Sequence, residues 1–231
     1  MRFHNGRHPR EMGAVEATTF LNYLAVKRRA SASTQNQALC ALVFLYRRVL
    51  ELNMPDLEGL ERARRPAHLP TVLSRPEVLA VLDRLEPPFR LIGELLYGSG
   101  LRLLESLAVR VKDVDLERRQ LMVRRGKGAL DRAALLPARA HDGVRAQIEV
   151  VTQRHRAELA EGRGAVDLPF ALHAKMPQAA TSLAWQYLFP ASRPCAEPAT
   201  GRMVLHHLHE TALQKAVREA ARLAKIEKRV T

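Results

Sequence analysis

Apolar residues recur at helical spacing in the first fifty residues of the chain. Between residues 14 and 29 they fall every three or four positions, and three basic residues follow them, Lys27, Arg28 and Arg29. Cations complement the partial negative charge at the end of a helix, so this pattern predicts an amphipathic helix over 14–29. A second apolar stripe predicts a helix over about 34–52, with Ser33 as its N-cap.

The pattern changes after Leu73, where short polar or glycine-containing segments separate the apolar runs. Ser74 and Glu77 have the spacing of a capping box, which predicts a helix that ends at about Leu85. Further helices are predicted over residues 89–97, 101–108, 143–160 and 207–225. Short apolar runs predict strands at 109–114, 120–123 and 131–136. The predicted fold class is therefore mainly α with a small three-stranded antiparallel sheet.

A proline-containing basic segment, residues 61–72, separates the two parts and predicts a linker. The chain is thereby divided into a helical region over 1–60 and a larger region over 73–231. Three arginines in the linker, Arg62, Arg64 and Arg65, have the spacing to follow a phosphate backbone. A solvated connection without a ligand explains them equally well.

The charge of the chain points to an anionic partner. It has 37 Lys and Arg against 24 Asp and Glu, a formal net charge of +13, and 30 of its cations are arginines. The arginine fork matches phosphate oxygens, so nucleic acid is the favoured partner, with Lys27, Arg28 and Arg29 as candidate contacts. A GC-rich genome, which enriches Arg and Ala together, is the alternative explanation.

Several classes are excluded by the same sequence. The sequence has no run of about 18 apolar residues, the length needed to span a membrane. The first residues also lack the apolar stretch of a signal peptide. Two cysteines, Cys40 and Cys195, make a disulfide framework unlikely and suit a reducing cytoplasm. There is no Cys and His spacing typical of zinc. We therefore expect a cytoplasmic protein without a metal or cofactor.

Two short segments carry candidate chemistry. Arg102 follows Gly98-Ser99-Gly100 at the start of a predicted helix, and Glu105 lies one turn later on nearly the same face. In that arrangement the carboxylate would hold the arginine, and the arginine would present a cationic fork to a phosphate. An ordinary surface ion pair is the alternative. Lys127 lies between Gly126 and Gly128 in a predicted hairpin, where it is either a proton donor or a solvated lysine.

Taken together, these segments resemble a known family. Gly-Leu-Arg-x-x-Glu at 100–105, Val-Lys-Asp-Val-Asp at 111–115 and Gly-Lys-Gly at 126–128 occur in the order found in the catalytic domain of tyrosine recombinases. With Trp-Gln-Tyr-Leu-Phe-Pro at 185–190 and His-His-Leu-His-Glu at 206–210, the chain is most similar to an integron integrase. The resemblance covers nearly the whole chain.

The resemblance implies a two-domain architecture and a set of roles. Residues 1–60 would be the helical, SAM-like core-binding domain and 73–231 the catalytic domain. Arg102 matches the arginine that binds the scissile phosphate, and Lys127 matches the lysine that protonates the leaving 5′ oxygen. Glu105 matches the acidic residue that supports the arginine. The implied activity is site-specific DNA recombination with capture of integron cassettes.

An insertion over about 165–205 corresponds to the one that distinguishes integron integrases. In that family it helps to bind extrahelical bases of folded single-stranded sites, so Trp185, Tyr187 and His207 or His209 are candidates for stacking on a base. Core packing is an equal alternative for Trp185 and Tyr187. Leu183 stands where the family usually has a second tryptophan.

The rest of the family's machinery would follow residue 231: a His-x-x-Arg box and the tyrosine nucleophile. The tyrosines present, Tyr23, Tyr46, Tyr97 and Tyr187, do not match the nucleophile's position. We therefore expect a chain truncated at both ends that binds double-stranded attachment sites and folded single strands without completing cleavage. Tetramer formation, typical of the family, is doubtful for it. The alternatives are a pure DNA-binding module, a dominant-negative partner of a full-length recombinase, and a non-specific RNA-binding protein.

Overall fold

A computed structural model gives the structure of the protein and describes residues 2–53, 57–63, 71–124, 130–169, 172–197, 201–228 and 230. The chain forms two compact units, Met1–Pro70 and Thr71–Thr231. Within the described residues, no helix is both long enough and apolar enough to cross a membrane.

The first unit is built on two helices, α1 (Ala14–Asn22) and α2 (Ala32–Phe44). Each continues into a single π-helical turn, Tyr23–Lys27 and Leu45–Val49 respectively, so each predicted helix is interrupted. The N-cap of α2 is Ser31 and not Ser33, because the Ser31 hydroxyl accepts the Thr34 amide at 3.1 Å.

A buried glutamine ties the following segment to these helices. The Gln35 amide group donates to the carbonyl groups of Leu21 and Glu61, at 3.2 and 2.7 Å. Its oxygen accepts the amide of Ala63 at 2.9 Å. Since a buried side-chain amide is costly without partners, these bonds fix residues 61–63 against the helices.

Helices form most of the second unit: α3 (Arg75–Leu82), α4 (Phe89–Ser99), α5 (Leu103–Leu107), α6 (Ala138–Ala160), α7 (Leu172–Lys175) and α8 (Glu210–Leu223). The capping box predicted at Ser74 and Glu77 is present at the start of α3. The main core is made of fully buried aliphatic side chains from α4, α5, α6, α8 and the sheet, among them Ile92, Leu95, Leu107, Leu121, Val144 and Leu213.

The sheet is antiparallel, in the order β1 (Val114–Asp115), β2 (Gln120–Val123) and β3 (Arg132–Leu135). Leu121 pairs with Val114 on one side and Ala134 on the other, and Val123 pairs with Arg132. The predicted first strand was placed too early, since Val111–Asp113 is a 3-10 turn. The mainly α fold class with a small three-stranded sheet is otherwise confirmed.

The described residues between 165 and 205 include a second, smaller core that contains Val166, Ala180, Tyr187 and Leu205. The segment contains α7, the 3-10 turns Pro177–Thr181 and Leu183–Trp185, and a two-stranded hairpin of β4 (Cys195–Ala196) and β5 (Met203–Val204). The Val111 amide donates to the Gln186 carbonyl, and the Leu188 amide donates to the Val109 carbonyl. These backbone hydrogen bonds hold the segment to the residues before β1. Cys40 and Cys195 are both free and exposed.

Candidate phosphate and nucleic-acid site

Two glycines determine how the chain leaves α4 and reaches Arg102. A Cβ on Gly98 would collide with the ring of Pro137, so only glycine allows α4 to end against the start of α6. Gly100 has a φ of +62° and ends the helix in the left-handed region. The chain then turns so that Arg102 is the N-cap of α5. The sequence analysis had placed Arg102 within the first turn of this helix, one position further on.

The carboxylate of Glu105 accepts four hydrogen bonds, which fill all of its acceptor positions. Oε2 accepts the Arg102 amide at 2.9 Å and Nη2 of Arg132 at 2.8 Å. Oε1 accepts Nη1 of Arg102 at 2.6 Å and Nη1 of Arg132 at 3.1 Å. The contact predicted between Arg102 and Glu105 is therefore present, with a second arginine added to it.

The surroundings of Glu105 keep it ionised. Its side chain is only 9% exposed. Hydrogen bonds from Arg132, from the Arg102 amide and from the Arg102 side chain lower its pKa to about 2, against the opposing effect of burial. Arg102 itself is 57% exposed and meets Glu105 through Nη1, and its Nη2 and Nε have no hydrogen-bond partner among the described residues. This is the part of the fork that can receive an oxyanion.

Arg132 is the residue that sequence reasoning missed. It begins β3 and pairs across the sheet with buried Val123. Strand alternation therefore places its side chain on the same face of the sheet as the core residues. A charged residue at an inward strand position is unusual unless it is paired, and this was the available signal.

Lys127 and the turn that carries it, residues 125–129, lie outside the described residues. The residue before that turn, Arg124, donates to Asp113 at 3.0 Å and to Asp131 at 2.9 Å. The two carboxylates raise the pKa of Arg124, and the Asp113 side chain is 2% exposed. The sheet is thus fixed by ion pairs just before residue 125.

Cations and aromatic rings alternate where the insertion meets the residues before β1. The Arg110 guanidinium lies 4.2 Å from the ring centre of Tyr187 and 5.4 Å from that of Trp185. Nζ of Lys112 lies 3.2 Å from the Trp185 ring centre. Partial burial and the charges of Arg124 and Arg110 lower the pKa of Lys112 against the effect of Asp113. A cleft of about 360 Å³ borders Trp185, lined also by Lys112, Arg124 and Pro169.

The structure argues against a stacking role for Tyr187. The residue is 4% exposed and its ring is covered by Arg110. Its hydroxyl donates to Asp167 at 2.9 Å and accepts from Arg110 at 2.8 Å, and burial raises its pKa. Tyr187 therefore holds the insertion together, which is the core alternative. Trp185 is half-buried and borders the cleft.

The candidate histidines have different surroundings. His207 is partly buried, its ring meets that of Tyr187 edge-on, and burial lowers its pKa. His209 is exposed and caps α8 by accepting the Thr211 amide. His206, which the sequence analysis passed over, lies 4.0 Å from Asp167, and its ring centre lies 4.1 Å from that of His207 with the two rings tilted by 53°. The described residues contain no group of three or more side chains placed to hold a metal ion.

The basic residues of the first unit lie at its surface. Lys27, Arg28 and Arg29 close the π-helical turn after α1, and all three are exposed. Arg62 is exposed beside the backbone that Gln35 holds. Arg64 and Arg65 lie outside the described residues.

Comparison with known proteins assigns both parts of the chain to one family. Residues 1–56 match the model of the phage integrase N-terminal SAM-like domain, and residues 72–231 match that of the phage integrase family. The chain belongs to the phage integrase family. Its class of activity is therefore that of the tyrosine recombinases, which act in site-specific DNA recombination.

Named relatives agree with this assignment. An "Integrase/recombinase" of Escherichia coli is 39% identical over 231 residues, which are all of this chain and 68% of the relative. A tyrosine recombinase XerA of Thermococcus onnurineus is 37% identical over 142 residues, 59% of this chain and 50% of that protein. The chain thus spans about two thirds of the first relative's length.

One solved structure supports the fold. The crystal structure of the XerH site-specific recombinase bound to its difH substrate, in a pre-cleavage complex, matches with a TM-score of 0.56. The match covers 96% of this chain and 56% of the XerH chain, at 19% sequence identity. At that identity the likeness concerns the fold alone.

Proposed function

We propose that the protein binds DNA for site-specific recombination and holds one phosphodiester on the guanidinium of Arg102. The observation that carries the proposal is the cluster of Arg102, Glu105 and Arg132, which has a net charge of +1 and an outward-facing fork. A preorganised arginine stabilises the additional negative charge of a pentacoordinate phosphorus transition state. Lys127 is assigned, by family membership, the protonation of the leaving 5′ oxygen.

The roles that we propose for the regions of the chain are based on the two family matches. Residues 1–60 form the core-binding domain, 61–72 the basic linker, and 73–231 the catalytic domain. Lys27, Arg28 and Arg29, with Arg62, Arg64 and Arg65, contact the phosphate backbone. The exposed positions of Lys27, Arg28, Arg29 and Arg62 support this role.

The insertion supports the finer assignment to the integron integrases. We assign to Trp185 the stacking of an extrahelical base from a folded single-stranded site, with His207 or His209 beside it. The half-buried ring and the adjacent 360 Å³ cleft support Trp185. Nζ of Lys112 lies over the ring, so a stacked base would displace this ammonium or use the opposite face.

The tyrosines support a chain that binds DNA without cutting it. Tyr46 is buried and donates to the Met12 carbonyl at 2.7 Å, and Tyr187 is held by Arg110 and Asp167. Tyr23 packs against Phe3 in the first unit. Tyr97, in α4, is 54% exposed and is the most exposed of the four. A covalent phosphotyrosine requires a hydroxyl in line with the leaving group, and none of the four matches the family's nucleophile.

A pair of suicide hairpin substrates tests the proposal, one with an extrahelical base and one without it. The 231-residue protein should bind both, with tighter binding and a larger change in Trp185 fluorescence for the first. It should leave no covalent adduct on a denaturing gel. Arg102→Met should weaken binding to both.

An adduct that survives denaturation would overturn the non-cleaving assignment, and Tyr97→Phe would show whether Tyr97 forms it. Equal binding of the two hairpins with unchanged fluorescence would remove the base-stacking role. Unchanged binding by Arg102→Met would remove the phosphate role.

A further inference from the structure

Arg132 shares the carboxylate of Glu105 with Arg102, and we infer that it is a positioning residue for the phosphate-binding arginine. The inference rests on the proposed role of Arg102. Arg132 meets Glu105 through two parallel bonds of 2.8 and 3.1 Å, the bidentate geometry in which arginine holds a carboxylate most firmly. Glu105 in turn holds Nη1 and the backbone amide of Arg102.

The first consequence concerns charge. Arg102 and Glu105 alone form a neutral pair, in which the carboxylate competes with any phosphate for the guanidinium. With Arg132 the cluster carries a net charge of +1, and the negative charge of Glu105 is divided between two arginines. Because the side chain of Glu105 is only 9% exposed, water screens this competition weakly. Arg132 therefore leaves Arg102 with a positive field for an incoming anion.

The second consequence concerns orientation. Arg132 stands on β3, whose pairing with β2 fixes its backbone. The carboxylate of Glu105 is therefore held from the sheet on one side and from the N-terminus of α5 on the other. A carboxylate with all four acceptor positions filled cannot rotate without breaking hydrogen bonds, so the fork of Arg102 keeps one direction.

The salt dependence of binding to a fluorescein-labelled duplex of arbitrary sequence measures this role. Anisotropy titrations over a series of KCl concentrations give a slope of log K against log [KCl]. On duplex DNA that slope decreases in magnitude by about 0.9 for each phosphate that the protein no longer neutralises. Arg102→Met and Arg132→Met should each reduce the slope by about that amount, and each should weaken binding at low salt on the order of tenfold.

The double variant Arg132→Met/Glu105→Gln separates the charge effect of Arg132 from a direct contact of Arg132 with DNA. It restores the net charge of +1 on Arg102, and Gln at the third helical position still serves a capping box. We expect it to recover most of the slope that Arg132→Met removes. Arg139→Met is the matched control, since Arg139 on α6 is similarly exposed and is ion-paired with Glu94 and Asp83. It should keep the original slope.

The outcomes are distinguishable. An unchanged slope for Arg102→Met removes the proposed phosphate contact itself. A reduced slope for Arg102→Met with an unchanged slope for Arg132→Met overturns the positioning role and leaves the proposed function standing. A double variant as weak as Arg132→Met overturns the charge effect, because the reduced slope would then come from the lost Arg132 hydrogen bonds or from a direct contact of Arg132 with DNA. Circular dichroism melts of every variant identify any that fail to fold.

Discussion

At the scale of single residues, Glu105 determines what the candidate site can do. Its carboxylate joins the α5 N-terminus, the phosphate-binding candidate Arg102 and the sheet residue Arg132. Each partner favours the ionised form, and together they outweigh the cost of burial. The same hydrogen bonds that orient Arg102 therefore contribute to the stability of the second unit.

The ionisation of Glu105 predicts a specific pH dependence of stability. Its pKa is about 2 in the folded protein against an ordinary value of 4.5. Its stabilising contribution is therefore complete above pH 4.5 and is lost as the pH falls towards 2. Glu105→Gln should remove this stabilisation by the ionised carboxylate, which is on the order of 2 kcal/mol. The free energy of unfolding of the variant should therefore fall less steeply below pH 4.5 than that of the unchanged protein.

Urea unfolding followed by the fluorescence of Trp185, the single tryptophan, measures the effect at several pH values. Glu117→Gln, a change at an exposed carboxylate, is the matched control and should show the acid dependence of the unchanged protein. Equal acid dependence in Glu105→Gln and the unchanged protein would contradict the prediction.

The sequence predicted part of this site and missed the rest for a physical reason. The spacing of Arg102 and Glu105 is local, so one helical turn was enough to predict their contact. Arg132 is 27 residues from Glu105, and their contact depends on how the sheet packs against α5. Similarly, the burial of Tyr187 depends on Arg110, which is 77 residues away. Long-range ion pairs leave no periodicity along the chain.

At the scale of elements, the displaced start of α6 involves a glycine. The predicted helix began at about Gly143, but this residue lies inside α6, which begins at Ala138. A Cβ at Gly143 would lie 3.0 Å from a methyl group of Leu91, so the glycine serves the close packing of α6 on α4. Sequence reasoning cannot distinguish a glycine that ends a helix from one that admits a neighbour.

The start of α2 gives a prediction at this scale. Ser31 caps the helix, whereas Ser33 lies at its second position, exposed to solvent. Ser31→Ala removes the acceptor of the Thr34 amide and should destabilise the helix start by about 1 kcal/mol. Ser33→Ala should change the stability of the helix start by less than about 0.5 kcal/mol, since alanine is the better helix former.

Amide hydrogen exchange of peptides from α2, read by mass spectrometry, tests the pair of serine variants. About 1 kcal/mol corresponds to roughly fivefold faster exchange, expected for Ser31→Ala alone. The reverse order, with the larger effect at Ser33, would place the cap where the sequence pattern first suggested it.

At the scale of the whole molecule, the basic residues behind the net charge of +13 differ in whether they are paired with carboxylates. Many arginines of the second unit are paired with carboxylates, such as Arg163 with Glu158, Arg222 with Glu219 and Arg118 with Asp115. Lys27, Arg28 and Arg29 instead form an exposed run at the end of a helical segment. Net charge alone predicts the class of partner, whereas the position of the charges predicts which of them contact it.

This distinction can be measured with two triple variants that lower the formal charge by the same three units. Replacing Lys27, Arg28 and Arg29 with glutamine should reduce the salt-dependence slope for duplex DNA by roughly 2 to 3, about 0.9 for each phosphate contact. Replacing Arg118, Arg163 and Arg222 with glutamine should reduce it by less than about 1, because those guanidiniums are already paired with carboxylates. Anisotropy titrations at several KCl concentrations give both slopes. Equal slopes for the two variants would mean that the protein attracts DNA through its overall charge, and the run at Lys27–Arg29 would then no longer be assigned as a DNA-binding surface.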